Sequence, residues 1–223
     1  GGQAVDESGR PTWLGKNSSD LTAIAAAATL GVPRCEIYSD VEGIYSADPH
    51  LVPDAHLVPE ISYDSVVALS ARGARVLYSR AVRMADRHGV TIACRLNRPP
   101  YRTGTVITDR GAPVSAVVVN PNAVVIRFPG SLDADHAFAA LHQEGIEAIR
   151  IEDDGSPYVV IVNGFVDAAR LLAEHDLPGE IVGRVPVTTV QGSSAQTRLA
   201  PDLDSAIDLA RKLHAEVTGA SFR

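Results

Sequence analysis

The chain has 223 residues, 45% of them hydrophobic, enough to bury a core in one large domain or two small ones. No run approaches the roughly eighteen apolar residues of a membrane span, and no basic-then-apolar leader stands before the first element, so a cytoplasmic protein is expected. A net charge of −7 argues against a nucleic-acid groove.

Gly1-Gly2-Gln3-Ala4 leads into Asp6-Glu7-Ser8-Gly9-Arg10-Pro11, which reads as a hairpin-type turn. Asn17-Ser18-Ser19-Asp20 is a dense N-cap signal before the apolar run 21–30, and Gly31 is a natural stop. Residues 16–20 therefore form a polar loop at a helix N-terminus, where free N–H groups and the dipole favour anions. A plain cap beside a solvated Lys16 fits the same pattern. The next strand spans 32–38. After Pro53 and Pro59, Ser62-Tyr63-Asp64 caps a helix with apolar Val66, Val67 and Leu69. Gly73 interrupts it, and Val76, Leu77, Val82 and Met84 continue a helical stripe to Gly89. Residues 90–96 alternate like a strand, Asn97-Arg98-Pro99-Pro100 breaks it, and 104–107 is a last short strand.

A boundary is expected within 108–113, closing a first unit over residues 1–110. Beyond it the pattern is strand (114–128, with a candidate break at Asn120-Pro121), helix (134–144), strand (148–152), a turn at Asp153-Asp154-Gly155, strand (158–162), helix (166–175) and strand (180–190). That βαββαβ order is the ferredoxin-like plan, and it defines a second unit over residues 113–192. Residues 193–223 complete the chain: 191–200 is polar and expected to be a mobile linker, and 205–217 is a closing helix. Cys35 and Cys94 lack metal-ligand spacing and read as buried free thiols, and the seven histidines show no paired ligand spacing, so no metal site of the protein's own is expected.

The stretch 35–49, CEIYSDVEGIYSADP, carries the most chemistry. Ser39 and Asp40 fall at a strand's tip, where ligands gather in open α/β sheets. With Gly43 for the turn and the ring of Tyr45, they suit the ribose, base and metal of a nucleotide. A solvent-facing strand-turn-strand ending in the Asp48-Pro49 turn fits equally well.

This stretch resembles the nucleotide-binding segment of aspartate kinases, of the form T-D-V-D-G-V-Y-T-A-D-P-R. Upstream, SGRPTWLGKNSSDLTAIAAAATLG resembles that family's T-T-L-G-R-G-G-S-D-x-T-A helix start. Downstream, ISYDSVVALSARGARVLYSRAVRMADRHGV resembles its I-S-Y-x-E-A-x-E-L-A-x-x-G-A-K-V-L-H-P-R-A helix. The resemblance covers roughly the first hundred residues. It implies an α/β fold: the C-terminal half of an amino-acid-kinase αβα sandwich, followed by a ferredoxin-like ACT-like domain that binds amino-acid effectors. A complete second ACT unit is not evident, though the region after residue 180 suits a shortened one.

The resemblance also implies an ATP- and Mg²⁺-dependent phosphorylation of the side-chain carboxylate of aspartate or a related amino acid. It places Lys16 and Asp20 in catalytic, substrate-clamping roles and Ser18 and Ser19 beside them as substrate-binding. Ser39, Asp40, Gly43, Tyr45, Asp48, His50 and Arg75 stand at the nucleotide positions. Several of these depart from the family. Lys16 replaces an arginine and loses its bidentate fork. Asn17 and Ser18 replace glycines, His50 an arginine, Arg75 a lysine, and Tyr78-Ser79 a His-Pro. The family's phosphate-binding lysine in a K-F-G-G context has no counterpart here, so the chain is expected either to be a portion of a longer polypeptide or to have its first half supplied by another chain; a homo-oligomer (a dimer) or such a pairing is the expected assembly. Two alternatives stay open: a degenerate homologue serving as a regulatory, effector-binding or assembly subunit, and a kinase of a specialised pathway acting on another carboxylic acid.

Overall fold

The computed structural model describes residues 2–13, 18–163 and 166–219. Strands β1 (Gln3–Val5) and β2 (Pro11–Trp13) pair antiparallel across the expected turn, where Asp6 Oδ1 accepts from the N–H groups of Ser8 and Arg10, both at 2.9 Å. Next come α1 (Ser19–Thr29), β3 (Arg34–Ser39), β4 (Glu60–Ser62), α2 (Tyr63–Ser70), α3 (Ser79–His88), β5 (Thr91–Leu96) and β6 (Thr103–Thr108). The last four strands form one mixed sheet in the order β3-β5-β6-β4, with β3 parallel to β5. Ile24 of α1, Leu69 of α2 and Val82 of α3 pack with Ile61, Ile92 and Ile107 of the sheet in a single buried core.

Helix α2 starts where its cap predicts, because Ser62 Oγ accepts from the Ser65 N–H at 3.3 Å and satisfies a donor that the first turn leaves free. The helical stripe expected to run from Val76 through Met84 is shorter than that. Gly73 takes φ 92°, which ends α2, and Ser70 Oγ donates to the Leu77 carbonyl at 2.8 Å. Residues 74–78 therefore run as a loop, and α3 begins only at Ser79.

The second half contains β7 (Ser115–Val119), β8 (Val124–Arg127), α4 (Ser131–Gln143), β9 (Ala148–Asp153), β10 (Ser156–Ile161), α5 (Ala168–Glu174), β11 (Glu180–Val182), β12 (Val185–Gln191), β13 (Ser194–Ala200) and α6 (Leu203–Gly219). The run β8-α4-β9-β10-α5-β11 has the βαββαβ order, and its antiparallel sheet runs β11-β8-β10-β9. Ala134, Ala137 and Leu141 of α4 and Leu171 of α5 bury against Ile126, Val159 and Ile161.

Two expectations are corrected here. The run over 114–128 divides at Asn120-Pro121, where the sequence signals a break, and the strand expected over 180–190 also divides in two, because residues 183–184 leave the ladder. Proline has no N–H for a ladder, and the strand stops before it. As a result β7 and β12 leave the βαββαβ sheet and join β13 in a sheet of order β13-β12-β7, with α6 packed against it. The segment expected to be a mobile linker contains β13, which pairs with β12 from Ser194 to Ala200. Ser194, Gln196 and Arg198 are exposed while Leu199 and Ala200 are buried, so the polar composition marks a half-solvated strand. Ala116, Val118 and Val190 of this sheet belong to the same core as Ile24, which joins the two halves. Among the described residues no helix is long and apolar enough to cross a membrane.

Candidate active site

Helix α1 opens with Ser19 and Asp20 at the edge of a cavity of about 860 Å³. The loop between α2 and α3 contributes Gly73, Arg75 and Tyr78 to the same cavity, and the βαββαβ half contributes Asn122, Glu147 and Asn163. Asp20 is half-buried, and its Oδ2 accepts from the Tyr78 N–H at 3.3 Å. Burial pushes its carboxyl above the usual range, and the Tyr78 N–H draws it partly back. Its charge also reaches the sheet. The Cys94 thiol is pushed up to about 12, first by burial and then by Asp20. Cys35 is raised by the same two causes in the same order, with Glu36 adding to them. The carboxylate therefore lies near the β3–β5 pair.

Ser18 is fully buried, and its Oγ accepts from the Gly2 N–H at 2.9 Å. That bond ties β1's approach to the start of α1. Ser19 is exposed at the cavity edge. Lys16 lies outside the described residues.

The nucleotide set divides. Arg75 is exposed and lines the cavity; Ser39, Asp40, Gly43, Tyr45, Asp48 and His50 are not among its lining residues. Ser39 and Asp40 stand at the carboxyl end of β3, and Ser39 Oγ donates to the Val41 carbonyl at 2.7 Å. Gly43 is packed against Thr105, whose Oγ1 accepts from the Ile44 N–H at 2.8 Å and donates to the Val58 carbonyl at 2.7 Å. Tyr45 is half-buried, its hydroxyl donating to Glu42 at 3.0 Å. Burial raises that hydroxyl's pKa, and the Glu42 carboxylate adds to the effect. Asp48 Oδ1 accepts from the His50 N–H at 2.9 Å, an Asx turn that leaves the His50 ring exposed.

Sequence reasoning passed over Tyr101. Its ring meets that of Tyr38 edge-on at 6.2 Å, and both rings are about half exposed where β3 and β5 end side by side. The available signal was an aromatic between Arg98 and Arg102, straight after the Pro99-Pro100 break. Glu147 and Asn122 carried no local signal at all, because only the docking of the two halves brings them to the cavity.

The model of the amino acid kinase family matches residues 1–95. The aspartokinase of Thermus thermophilus is 40% identical over 144 residues, covering 63% of this chain and 33% of that protein. That of a Bacillus species is 41% identical over 109 residues, or 49% of this chain and 26% of that protein. The chain thus spans about a third or less of the curated relatives it matches. Among solved structures, E. coli aspartokinase III in complex with aspartate and ADP (R-state) superposes with a TM-score of 0.77 at 20% identity, over 97% of this chain and 59% of that one. The same enzyme with lysine and aspartate (T-state) gives 0.70 at 21%, over 96% and 58%. These likenesses establish the fold: the later part of an amino acid kinase sheet carrying ferredoxin-like, ACT-like structure behind it. The family match ends inside β5, so β6 and everything after it lie beyond it.

Proposed function

We propose that this chain is the nucleotide- and substrate-binding portion of an ATP-dependent kinase that phosphorylates the side-chain carboxylate of aspartate or a close analogue. The observation that carries the reading is that Asp20 and Arg75, from two separate motifs, face one cavity. Aspartate and ADP, named in the E. coli aspartokinase III structure, support the choice of ligands.

In the proposed reaction a carboxylate oxygen of the substrate attacks the γ-phosphorus, the bond to the β-phosphate oxygen breaks, and ADP leaves as the acyl phosphate forms. Little covalent work falls to the protein, which positions the reactants and spreads charge. Asp20 holds the substrate's α-ammonium and Lys16 its α-carboxylate. Arg75 offsets phosphate charge from the cavity wall, and Ser39, Asp40 and Tyr45 border the nucleotide at the end of β3. Among the described residues no three His, Cys, Asp or Glu side chains converge as a metal cage. Mg²⁺ needs none, since it binds chiefly through phosphates, waters and one or two carboxylates. Asp40, exposed at the strand tip, is suited to that part. When bound, the ion supplies charge stabilisation of the transferring phosphoryl group.

The domain reading belongs to the same proposal. Residues 1–110 form the kinase portion and 113–192 the ACT-like portion, which takes an amino-acid effector or pairs subunits. Residues 193–223, with β7 and β12, complete a shortened second unit.

A second reading, a regulatory subunit that has lost nucleotide binding, draws on one observation: the Ser39 hydroxyl is already engaged by the carbonyl of Val41 in its own turn. Hydroxamate trapping of acyl phosphate by the intact gene product, with aspartate and a panel of amino acids, tests the first. Absence of turnover with every acid, together with absence of nucleotide binding by calorimetry, would establish the second.

A further inference from the structure

One continuous chain of contacts runs from Asp20 into the ACT-like half. Asp20 Oδ2 accepts from the Tyr78 N–H at 3.3 Å. Tyr78 is the N-cap of α3, and its own side chain makes no capping hydrogen bond. The next residue, Ser79, is buried, and its Oγ donates to Glu147 Oε1 at 2.8 Å. Glu147 immediately precedes β9, and its carbonyl accepts from the Val162 N–H at 3.0 Å. The Val162 carbonyl in turn accepts from Asn120 Nδ2 at 2.9 Å, and Asn120 is only 5% exposed. Asn120 packs so closely on Gly73 that a β-carbon there would collide with its amide group. The ACT-like half thus touches the α2–α3 loop at both ends, through Asn120 at Gly73 and through Glu147 at Ser79.

We infer that Glu147 is a positioning residue: by holding Ser79 it fixes the start of α3, and with it the Tyr78 N–H that orients Asp20. Any shift of β9 relative to α3 is then felt at the substrate's ammonium site, with no need for an effector to enter the cavity. Glu147 touches neither nucleotide nor substrate in this scheme; it acts through Ser79 and Tyr78. The consequence for substrate rests on the kinase reading, whereas the consequence for the Tyr78 amide does not.

The test uses the intact gene product and the variants Glu147→Ala, Glu147→Gln, Ser79→Ala and the Glu147→Ala/Ser79→Ala double. Glutamine retains an acceptor oxygen for Ser79, and Glu147 is exposed, so neither change at 147 threatens the core. Exchange of the Tyr78 amide, followed by NMR, is expected to rise about fivefold in either alanine variant, the size of one ordinary hydrogen bond. It should return close to wild type in Glu147→Gln. The KM for the amino-acid substrate is expected to rise by a similar factor, with kcat and the KM for ATP little changed. The double variant should be no worse than either single one. Unchanged Tyr78 exchange in the alanine variants, or additive effects in the double, would overturn the inference. Should no acid be turned over, the kinase reading falls alone, because the amide measurement still decides the role of Glu147.

Discussion

The Nε2 of His214, in the last helix, lies 2.8 Å from the Oγ of Ser46, 168 residues away in the loop after β3. The same oxygen is 3.2 Å from His56 Nδ1 and accepts from the His56 N–H at 3.0 Å. A hydroxyl has one proton to give. If Ser46 donates to His214, that ring must be neutral at Nε2, and His56 must donate from Nδ1. One added proton can be absorbed by turning the hydroxyl towards His56, but two cannot. The cluster therefore clamps α6 onto the first half of the chain only while at least one ring is neutral.

Burial holds His214 below its ordinary pKa of 6.5, the neighbouring His56 lowers it further, and Asp54 partly opposes them. Below that value the unfolded chain binds a proton that the folded one resists, so stability is fully present above about pH 6.5 and is lost as pH falls towards the folded pKa. Urea midpoints should be flat from pH 7 to 8 and drop below pH 6.5. His214→Phe should flatten much of that drop while costing about 1–3 kcal/mol at neutral pH, because the Ser46 hydroxyl loses a buried partner. An acid limb unchanged by the substitution would show that other groups govern it.

Gly43→Ala should damage the edge of β3 more than its size suggests. Its β-carbon would strike Thr105 Oγ1 and lie 2.9 Å from the Thr105 backbone nitrogen, so β6 itself must move. A loss of about 1–3 kcal/mol in chemical denaturation is expected. Thr105→Val should cost a similar amount by stranding the Ile44 N–H. Substitution at Gly183, where a β-carbon meets nothing within 4 Å and φ is not positive, is the control for spatial crowding.

Cys94 should be chemically silent in the folded protein. With its thiol pushed up to about 12, the thiolate fraction at pH 8 is on the order of one in ten thousand. Cys35, only half-buried, should react first with a maleimide, and Cys94 should label at the rate of unfolding. Fast labelling of Cys94 without denaturant would contradict the burial described for β5.

The local grammar of the chain was legible wherever side chain and backbone speak to each other over a few residues. Ser62 as a cap, Gly89 as a left-handed stop with φ 64° and the Asp154-Gly155 turn all stand where their chemistry places them. What was hidden depends on partners distant in sequence. Nothing in residues 114–128 says that one part of the run pairs with β12 and the other with β10. The polar face of β13 hides a strand whose Leu199 is buried against the ACT-like sheet. The site divides in the same way: Asp20 and Arg75 are readable from motifs, while Glu147 and Asn163 join the cavity only through docking of the second half.

Lys16→Arg tests the substrate end of the proposed site from sequence chemistry alone. The guanidinium restores a bidentate fork for an α-carboxylate. Turnover of aspartate by the intact gene product should rise and its KM fall. No change would count against a substrate shift at that position.

Asp20→Asn separates two roles of one carboxylate. As the proposed partner of the substrate ammonium, Asp20 is half-buried, and removing one partner of such a pair costs about 2–5 kcal/mol, which corresponds to a loss of roughly 30-fold or more in kcat/KM. The substitution should also ease ionisation of Cys94 and Cys35, since the Asp20 charge now raises both thiols. Thiol titration in urea-free buffer reads that second effect without any substrate. If the thiols shift while kcat/KM holds, Asp20 sits where the structure places it but does not meet the ammonium. If neither moves, the carboxylate is not near the β3–β5 pair, and the substrate wall of the cavity must be sought elsewhere.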